Sequence, residues 1–317
     1  MSAKMVASMN PAQQNIQCVD TFGAVCAGLI FAIVRVIVAV NKNNTGSQLM
    51  ENKRLIALAA GVVQEFSPEI VVYAAAEAGF NAVGIWYDPD SWNDKRSVAV
   101  AQALKETGLC ALDMEVLWMR PGESLDHHDQ LVDAARELGA RNLLCVSTEP
   151  ETAQTKRRFE HICRRAEGSS LRIVLEFLPF MEIKSLAGAL EVVSEVAHPA
   201  GGILVDTLHL QRTGSTPQDL TAIDPHLMPY IQLCDARGEP EDPSIEGLLE
   251  DALYLRLLPG EGGLPLLAVL EQLDPLLPLS LEVRSRALME QYPTSPVDRA
   301  VAVYQATRRF LESVPAG

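Results

Sequence analysis

Eight short apolar runs, separated by amphipathic stretches, constrain the fold of this chain more than any other feature. Each run is continuously apolar, which is typical of strands buried on both faces of a parallel sheet. Regular alternation of such strands with helical stretches predicts βαβ units. The predicted strands are 55–63, 82–87, 110–117, 142–146, 172–177, 202–205, 230–234 and 279–283.

The stretches between these runs predict helices and carry start and stop signals. Ser67 and Pro68 form a helix start, with a capping side chain and proline at the first position. Gly79, Gly108 and Gly139 each follow a predicted helix, where a left-handed cap favours glycine. The predicted helices are 68–78, 95–107, 128–138, 152–167, 185–197 and 296–313.

Eight such units over residues 54–313 predict an α/β fold, a (β/α)8 TIM barrel. The alternative is an open, doubly wound sheet. It is disfavoured because no G-x-G-x-x-G motif follows the first predicted strand.

The first fifty residues differ from the rest in charge and hydropathy. They carry three basic residues and one acidic residue, a charge of +2, so the remainder of a chain with net charge −15 carries −17. Segment 22–40 is apolar and has 19 residues, close to the minimum for a membrane helix. Arg35 within it would cost about 2.5–3.5 kcal/mol in a bilayer.

Three interpretations of residues 1–50 stay open: a non-native extension before a natural start at Met50, a membrane anchor through 22–40, and a cleaved signal. The predicted domains are therefore 1–50, an N-terminal extension outside the barrel, and 51–317, the barrel.

Composition excludes some classes of function. A hydrophobic content of 48% excludes a disordered chain, and the acidic balance argues against nucleic acid as the main partner. The six cysteines form no C-x-x-C pair, which predicts free thiols and a cytoplasmic setting. The oligomeric state is left open, with a homo-oligomer as one candidate.

Polar residues end the last four predicted strands. Glu176, Asp206, Gln232 and Glu282 each follow a short apolar run. In a barrel the carboxyl ends of all strands open onto one face, where active sites lie. Three carboxylates converging there would repel one another unless a cation lay among them. An all-oxygen set of this kind suits Mg²⁺ or Mn²⁺ better than Zn²⁺.

These strand ends resemble the xylose isomerase-like TIM barrels, in the group of sugar phosphate isomerases and epimerases. The resemblance covers about residues 54–313 and leaves out the first fifty. It is fairly specific for the superfamily and weakly specific for the substrate. The motifs that carry it are LEFLP at 175–179, VDTLH at 205–209, IQLCD at 231–235, LPGEG at 258–262 and LEV at 281–283.

The resemblance implies a set of metal ligands. Glu176, Asp206 and Glu282 match the carboxylate ligands of the family, and Gln232 stands where the family more often has histidine. The metal is then Mn²⁺ or Mg²⁺, with Co²⁺ and Zn²⁺ as further candidates. Related DNA-repair endonucleases use several more histidines, which are missing at the second and third strand ends here.

The resemblance also implies substrate contacts. His209 and Glu182 match substrate-binding residues of the family, and Arg237 lies near a position where the family often has a substrate-binding arginine. Glu115, expected at the end of the third strand, faces the same mouth and is a further candidate for binding substrate hydroxyls. An ion pair of Glu115 with Arg120 or Arg212 is the alternative.

The implied chemistry is epimerisation or isomerisation of a sugar, keto-sugar or cyclitol. A metal would polarise the carbonyl, and Glu176 and Glu282 would act as an acid/base pair through an enediolate. Two alternatives stay open: a dehydratase or lyase using the same metal site, and a non-catalytic sugar-binding barrel.

Several other residues favour structural interpretations. His127 and His128 are expected to form a solvated helix cap, and the loop 260–263 a connecting turn rather than a phosphate site. For Trp86, Trp118 and Phe180, core packing is favoured over a place in the pocket wall.

Overall fold

The computed structural model describes residues 54–314, in which eight strands close into one parallel barrel. Each strand pairs with the next along the chain, and the last pairs with the first. The predicted (β/α)8 barrel is confirmed. The strands are β1 (Ile56–Leu58), β2 (Ala82–Trp86), β3 (Cys110–Met119), β4 (Asn142–Ser147), β5 (Arg172–Glu176), β6 (Gly201–Asp206), β7 (Ile231–Leu233) and β8 (Leu279–Leu281).

Helices connect the strands, and all six predicted helices are present with small shifts of their ends. Four helices were not predicted: Thr207–Arg212, Ile245–Tyr254, Leu266–Glu271 and Arg286–Gln291. The α-helices of the described range are α1 (Pro68–Ala78), α2 (Asp94–Thr107), α3 (Leu125–Glu137), α4 (Thr152–Arg165), α5 (Leu186–Val196), α6 (Thr207–Arg212), α7 (Ile245–Tyr254), α8 (Leu266–Glu271), α9 (Arg286–Gln291) and α10 (Pro296–Ser313).

The predictions about the N-terminal fifty residues lie outside the described residues. These are the membrane-like segment 22–40 and the domain boundary at residue 50. Between residues 54 and 314, no helix is both long and apolar enough to cross a membrane. The four cysteines of this range are free thiols, as predicted.

The first strand is shorter than its apolar run. β1 ends at Leu58, and a 3-10 turn follows at Ala60–Val62. The Ala60 N–H donates to Glu115 Oε1 at 3.2 Å instead of to a neighbouring strand, so the Glu115 side chain ends the strand pairing here. The apolar residues after Leu58 therefore cover the barrel mouth instead of extending the strand.

The third strand is longer than predicted, so Glu115 lies within it and not at its end. β3 continues to Met119 because its pairing with β4 shifts register between Met114 and Leu117 and then resumes. The shift falls beside Glu115, whose carboxylate lies at the mouth near Ala60.

The interpretation of His128 as a solvated cap is wrong. Ser124 caps α3, and His128 is buried on the same face as Leu131 and Val132. Spacings of three and four residues place all three side chains on one side of a helix, which explains the burial. His127 is exposed and pairs with Glu123 at 2.7 Å.

Asp235 fixes the segment between α7 and α8. Its carboxylate accepts hydrogen bonds at 3.0 Å from the backbone N–H groups of Gly260, Gly262 and Leu264. The loop is thus a connecting turn, as predicted. A Cβ at Gly262 would lie 2.3 Å from Asp235 Oδ1, so only glycine allows this close approach.

Antiparallel bridges hold the start of the same segment. Asp235 pairs with Leu257, and Leu255 pairs with Ser285. Residues 255–264, called the strap below, are therefore tied to the ends of both β7 and β8. The strap holds Arg256, the residue between the two bridged leucines, over the carboxyl ends of the strands.

We expect Asp235→Asn to lower the free energy of unfolding by about 2–4 kcal/mol, since one acceptor oxygen becomes an NH₂ group facing backbone donors. Both Asp235 oxygens accept two N–H groups each, so neither orientation of the amide satisfies the site. Urea unfolding measures the change.

The matched control is Asp274→Asn. Exposed Asp274 accepts one backbone N–H, from Leu276, through Oδ1. Asparagine keeps that acceptor, so this variant should unfold like the wild type. Equal stability of the two variants would contradict the role of Asp235.

Candidate functional site at the carboxyl ends of the strands

A turn between β6 and α6 brings Glu176, Asp206 and His209 together. Asp206 ends β6 and caps α6, because its Oδ1 accepts the N–H groups of Leu208 at 2.7 Å and His209 at 3.1 Å. This cap places His209 one turn away from Asp206, beside the last residue of β5. His209 Nε2 lies 3.9 Å from Glu176 Oε1.

These three residues are buried and form a group that could hold a metal ion. One ligand atom from each lies within 4.8 Å of the other two. Because Asp206 caps the helix that carries His209, the three-residue spacing brings the two side chains together. The cap uses Asp206 Oδ1 and leaves Oδ2 for other contacts.

Gln232 lies next to this group in the sheet. It is the central residue of β7 and pairs in register with Asp206. Its side chain is fully buried, and neither amide atom has a hydrogen-bond partner among the described residues. A buried amide without partners is costly, so the position is one where a bound ion or ligand would supply the missing interaction.

Glu282 follows β8 and is not part of the group formed by Glu176, Asp206 and His209. Its backbone N–H donates to Leu233 O at 3.1 Å, which continues the ladder to β7. Its carboxylate packs against the turn after β1, where a Cβ at Gly61 would lie 3.0 Å from Glu282 Oε1. Glycine at this position lets the backbone approach the carboxylate.

Glu115 is buried at the same mouth, bonded to the Ala60 N–H. The alternative ion pairs of Glu115 do not form: Arg120 pairs with Glu123, and Arg212 pairs with Asp251 at 2.7 Å. Binding of substrate hydroxyls by Glu115 stays a prediction.

Arg256, on the strap, lies in the middle of the site and was missed by the sequence reasoning. Its Nη1 lies 2.5 Å from Asp206 Oδ2 and 3.9 Å from Glu282 Oε2. Its Nη2 lies 3.4 Å from His209 Nε2. The signal in the sequence was a single arginine inside the apolar stretch 255–258, because a charge in such a stretch requires a buried partner.

Two predicted substrate contacts point away from this group. The Arg237 side chain is 69% exposed and pairs with Glu241 at 2.6 Å. Glu182 is exposed in the loop after β5. Their roles in substrate binding stay predictions. Phe180, in contrast, is buried against the site, with its ring edge-on to His209 at a centroid distance of 5.7 Å.

Burial and mutual repulsion raise the pKa of several carboxyls at this site. Burial, with the charges of Glu282 and Asp206, raises the pKa of Glu176 well above its ordinary range. Burial likewise raises the pKa of Glu282. Asp206 differs: burial acts upward, but the Arg256 charge brings its pKa below the ordinary value. Burial lowers the pKa of His209 to about 4, so the imidazole is neutral.

Asp113 extends this cluster into the barrel interior. It lies on β3, fully buried, and a Cβ at Gly84 would come within 2.5 Å of its Oδ1. Burial, together with the charge of Glu282, raises the pKa of Asp113 to about 7. The floor of the site therefore holds a proton that an exposed aspartic acid would have lost.

A family model described as xylose isomerase-like TIM barrel matches residues 72–313. A comparison with curated proteins finds no match. Among solved structures, a fusion of a xylose isomerase-like TIM barrel with 4-hydroxyphenylpyruvate dioxygenase is 20% identical with a TM-score of 0.68. The alignment covers 84% of this chain and 45% of the fusion protein, so the chain spans less than half of that protein.

Three further structures share the barrel over nearly their whole length. The IolI protein with a bound zinc atom is 18% identical, with a TM-score of 0.70 over 83% of this chain and 100% of IolI. D-allulose 3-epimerase from Methylomonas sp., in complex with D-allulose, is 15% identical, with a TM-score of 0.60 over 83% and 99%. The probable 3-DHS dehydratase AsbF from Bacillus anthracis is 16% identical, with a TM-score of 0.63 over 80% and 98%.

We expect Asp113→Asn to gain stability relative to wild type as the pH rises. In the folded chain Asp113 titrates near 7, against an ordinary value of 3.8. Between these values only the folded chain holds the proton, so its stability falls as the pH rises through this window. Because each pKa unit is worth about 1.4 kcal/mol, the gain from about pH 5 to about pH 8 should reach about 2–3 kcal/mol.

Urea unfolding at both pH values, with a chelator present, measures this gain. Asp90→Asn, at an exposed aspartate, controls for the loss of one negative charge. A difference between Asp113→Asn and wild type that stays the same at both pH values would contradict the assignment.

Proposed function

Because the chain belongs to the xylose isomerase-like TIM barrel family, we propose that it is a metal-dependent isomerase or epimerase of a keto-sugar or cyclitol. The observation that carries the proposal is the buried group of Glu176, Asp206 and His209, with the unpartnered amide of Gln232 beside it.

The residues present fit a divalent metal. Glu176, Asp206 and Glu282 are buried carboxylates, His209 is a neutral imidazole, and Gln232 Oε1 has no partner within the described part of the chain. We propose that these five surround the ion. Carboxylate and amide oxygens favour Mn²⁺ or Mg²⁺, whereas the imidazole extends the candidates to Co²⁺ and Zn²⁺. When bound, the metal would supply Lewis-acid polarisation of a substrate carbonyl.

Glu176 and Glu282 are the proposed proton carriers. Burial raises the pKa of both carboxyls above the ordinary value of a glutamic acid, which favours uptake of a proton from a substrate. They come from strands three apart in the closed barrel, so they reach a substrate in the mouth from different sides. One removes the proton next to the carbonyl, and the other returns a proton to the opposite face or to the neighbouring carbon.

Phe180 and Glu115 complete the proposed substrate site. Phe180 covers His209 and contributes an apolar wall that excludes water from the carboxylates. Glu115, held by the Ala60 N–H, offers an oxygen to substrate hydroxyls. The substrate class is a small polyol with a carbonyl, and the partners do not include nucleic acid.

We expect Glu176→Gln and Glu282→Gln each to lower kcat by about a hundredfold or more, because general acid–base catalysis contributes roughly 10²–10⁴-fold. Glutamine keeps the size of the side chain but cannot carry the proton. Initial rates on a panel of ketoses and keto-cyclitols with Mn²⁺ or Mg²⁺ measure the loss. Glu271→Gln, at an exposed residue of α8, is the control. Full activity in both site variants would rule out the acid/base assignment.

The fate of the abstracted proton distinguishes the proposed reaction from loss of a hydroxyl group. In D₂O, epimerisation or isomerisation should place one deuterium on the carbon that regains a proton, with no change in the number of oxygens. Mass spectrometry and NMR of the product detect it. A dehydrated product would instead identify a lyase on the same site, and binding without turnover a sugar-binding barrel. Chelator treatment should abolish turnover, and added Mn²⁺ or Mg²⁺ should restore it.

A further inference from the structure

Arg256 contacts two of the atoms that the proposed metal would need. Its Nη1 lies 2.5 Å from Asp206 Oδ2, and its Nη2 lies 3.4 Å from His209 Nε2. His209 Nε2 is also the nitrogen that faces Glu176, at 3.9 Å. The guanidinium therefore lies between the ligand group and Glu282.

The contact of Arg256 with His209 Nε2 and ligation of a metal by that same nitrogen exclude each other. A neutral imidazole nitrogen has one lone pair, which either accepts an N–H or binds a metal. Arginine carries only donors and stays charged, so it cannot itself act as a ligand. A metal bound to His209 Nε2 and Asp206 Oδ2 would meet a positive charge in contact with both atoms.

Arg256 is held in this place by a built arrangement. Its Nε donates to Ala252 O at 2.8 Å, and its backbone N–H donates to Arg284 O at 3.2 Å. The bridges of the strap fix the leucines on either side of it, and its side chain is 3% exposed. The hydrogen bonds and bridges of the strap therefore fix this guanidinium within the acidic site.

We propose that Arg256 is a built-in cation that holds the metal-free site together and competes with the divalent metal for Asp206 and His209. The proposal rests on the metal site of the proposed function. Arg256 is a positioning residue in this scheme: it keeps the carboxylates close together before the metal binds and must leave Asp206 and His209 when the metal enters.

Two consequences follow from removing the guanidinium. The metal-free protein then buries Asp206 without its partner, and breaking a buried ion pair is strongly destabilising. The metal, in turn, no longer displaces a competitor and meets one more unbalanced negative charge. Stability without metal and affinity for metal should therefore change in opposite directions.

The test compares wild type, Arg256→Met and Arg284→Met, each as the full chain stripped with chelator. Arg284 is the matched control: it also lies near Glu282 and Glu115, but its Nη2 donates to neutral Gln64 Oε1 at 3.0 Å and contacts neither Asp206 nor His209. Calorimetric titration with Mn²⁺ gives the affinity, and thermal unfolding with and without Mn²⁺ gives the stability.

We expect Arg256→Met to bind Mn²⁺ about tenfold more tightly than wild type or more, a difference of roughly 1.4 kcal/mol. Without metal its Tm should fall by about 6 °C or more, and saturating Mn²⁺ should recover most of that loss. Arg284→Met should show a smaller change in affinity than Arg256→Met.

Equal Mn²⁺ affinity of wild type and Arg256→Met would overturn the competition while leaving the proposed metal site intact. No Mn²⁺ binding to any of the three proteins would overturn the metal site and the competition together. If Arg256→Met does not fold, crystal structures of wild type with and without Mn²⁺ decide: the contact between Arg256 and Asp206 should break in the metal-bound form. A metal held by Asp206 and His209 with that contact intact would contradict the proposal.

Discussion

The burial of several carboxyl groups at one end of the barrel is the constraint on which the rest of the site depends. Closure of the parallel sheet brings the strand ends together whatever residues they carry. Acidic residues on β5 and β6 and after β8 are then forced into one small volume away from water. Three features offset the free-energy cost of burying these carboxyls: an internal arginine, backbone N–H donors, and raised carboxyl pKa values.

The backbone donors show how local structure and site chemistry share the same atoms. Asp206 accepts two N–H groups of α6, so the residue that offers an oxygen to the site also starts the helix that carries His209. Asp235 performs a similar task for the strap, which carries Arg256. A side chain can be a candidate ligand and a structural cap at once, because a carboxylate has two oxygens and several lone pairs.

The sequence predicts the barrel well because its signal, a short apolar run between amphipathic stretches, is local and repeated eight times. The candidate positions Glu176, Asp206, Gln232 and Glu282 come from the polar residue that follows an apolar run in the last four of these strands. Arg256 could not be found in this way because it reaches the site from a connecting segment whose path depends on long-range contacts. The same limit explains the exposed positions of Arg237 and Glu182: a loop residue near a strand end in sequence need not point into the mouth.

Charge balance links Arg256 to the buried carboxyls around it. The neutral amide of Gln232 adds no charge to either the metal-free or the metal-bound form. The buried carboxyls outnumber the arginines beside them by five to two, so full ionisation would leave three negative charges. A divalent ion would reduce the excess to one, and without that ion burial and the charge of Glu282 raise the pKa of Asp113 to about 7. The carboxyls in question are Asp113, Glu115, Glu176, Asp206 and Glu282, and the arginines are Arg256 and Arg284.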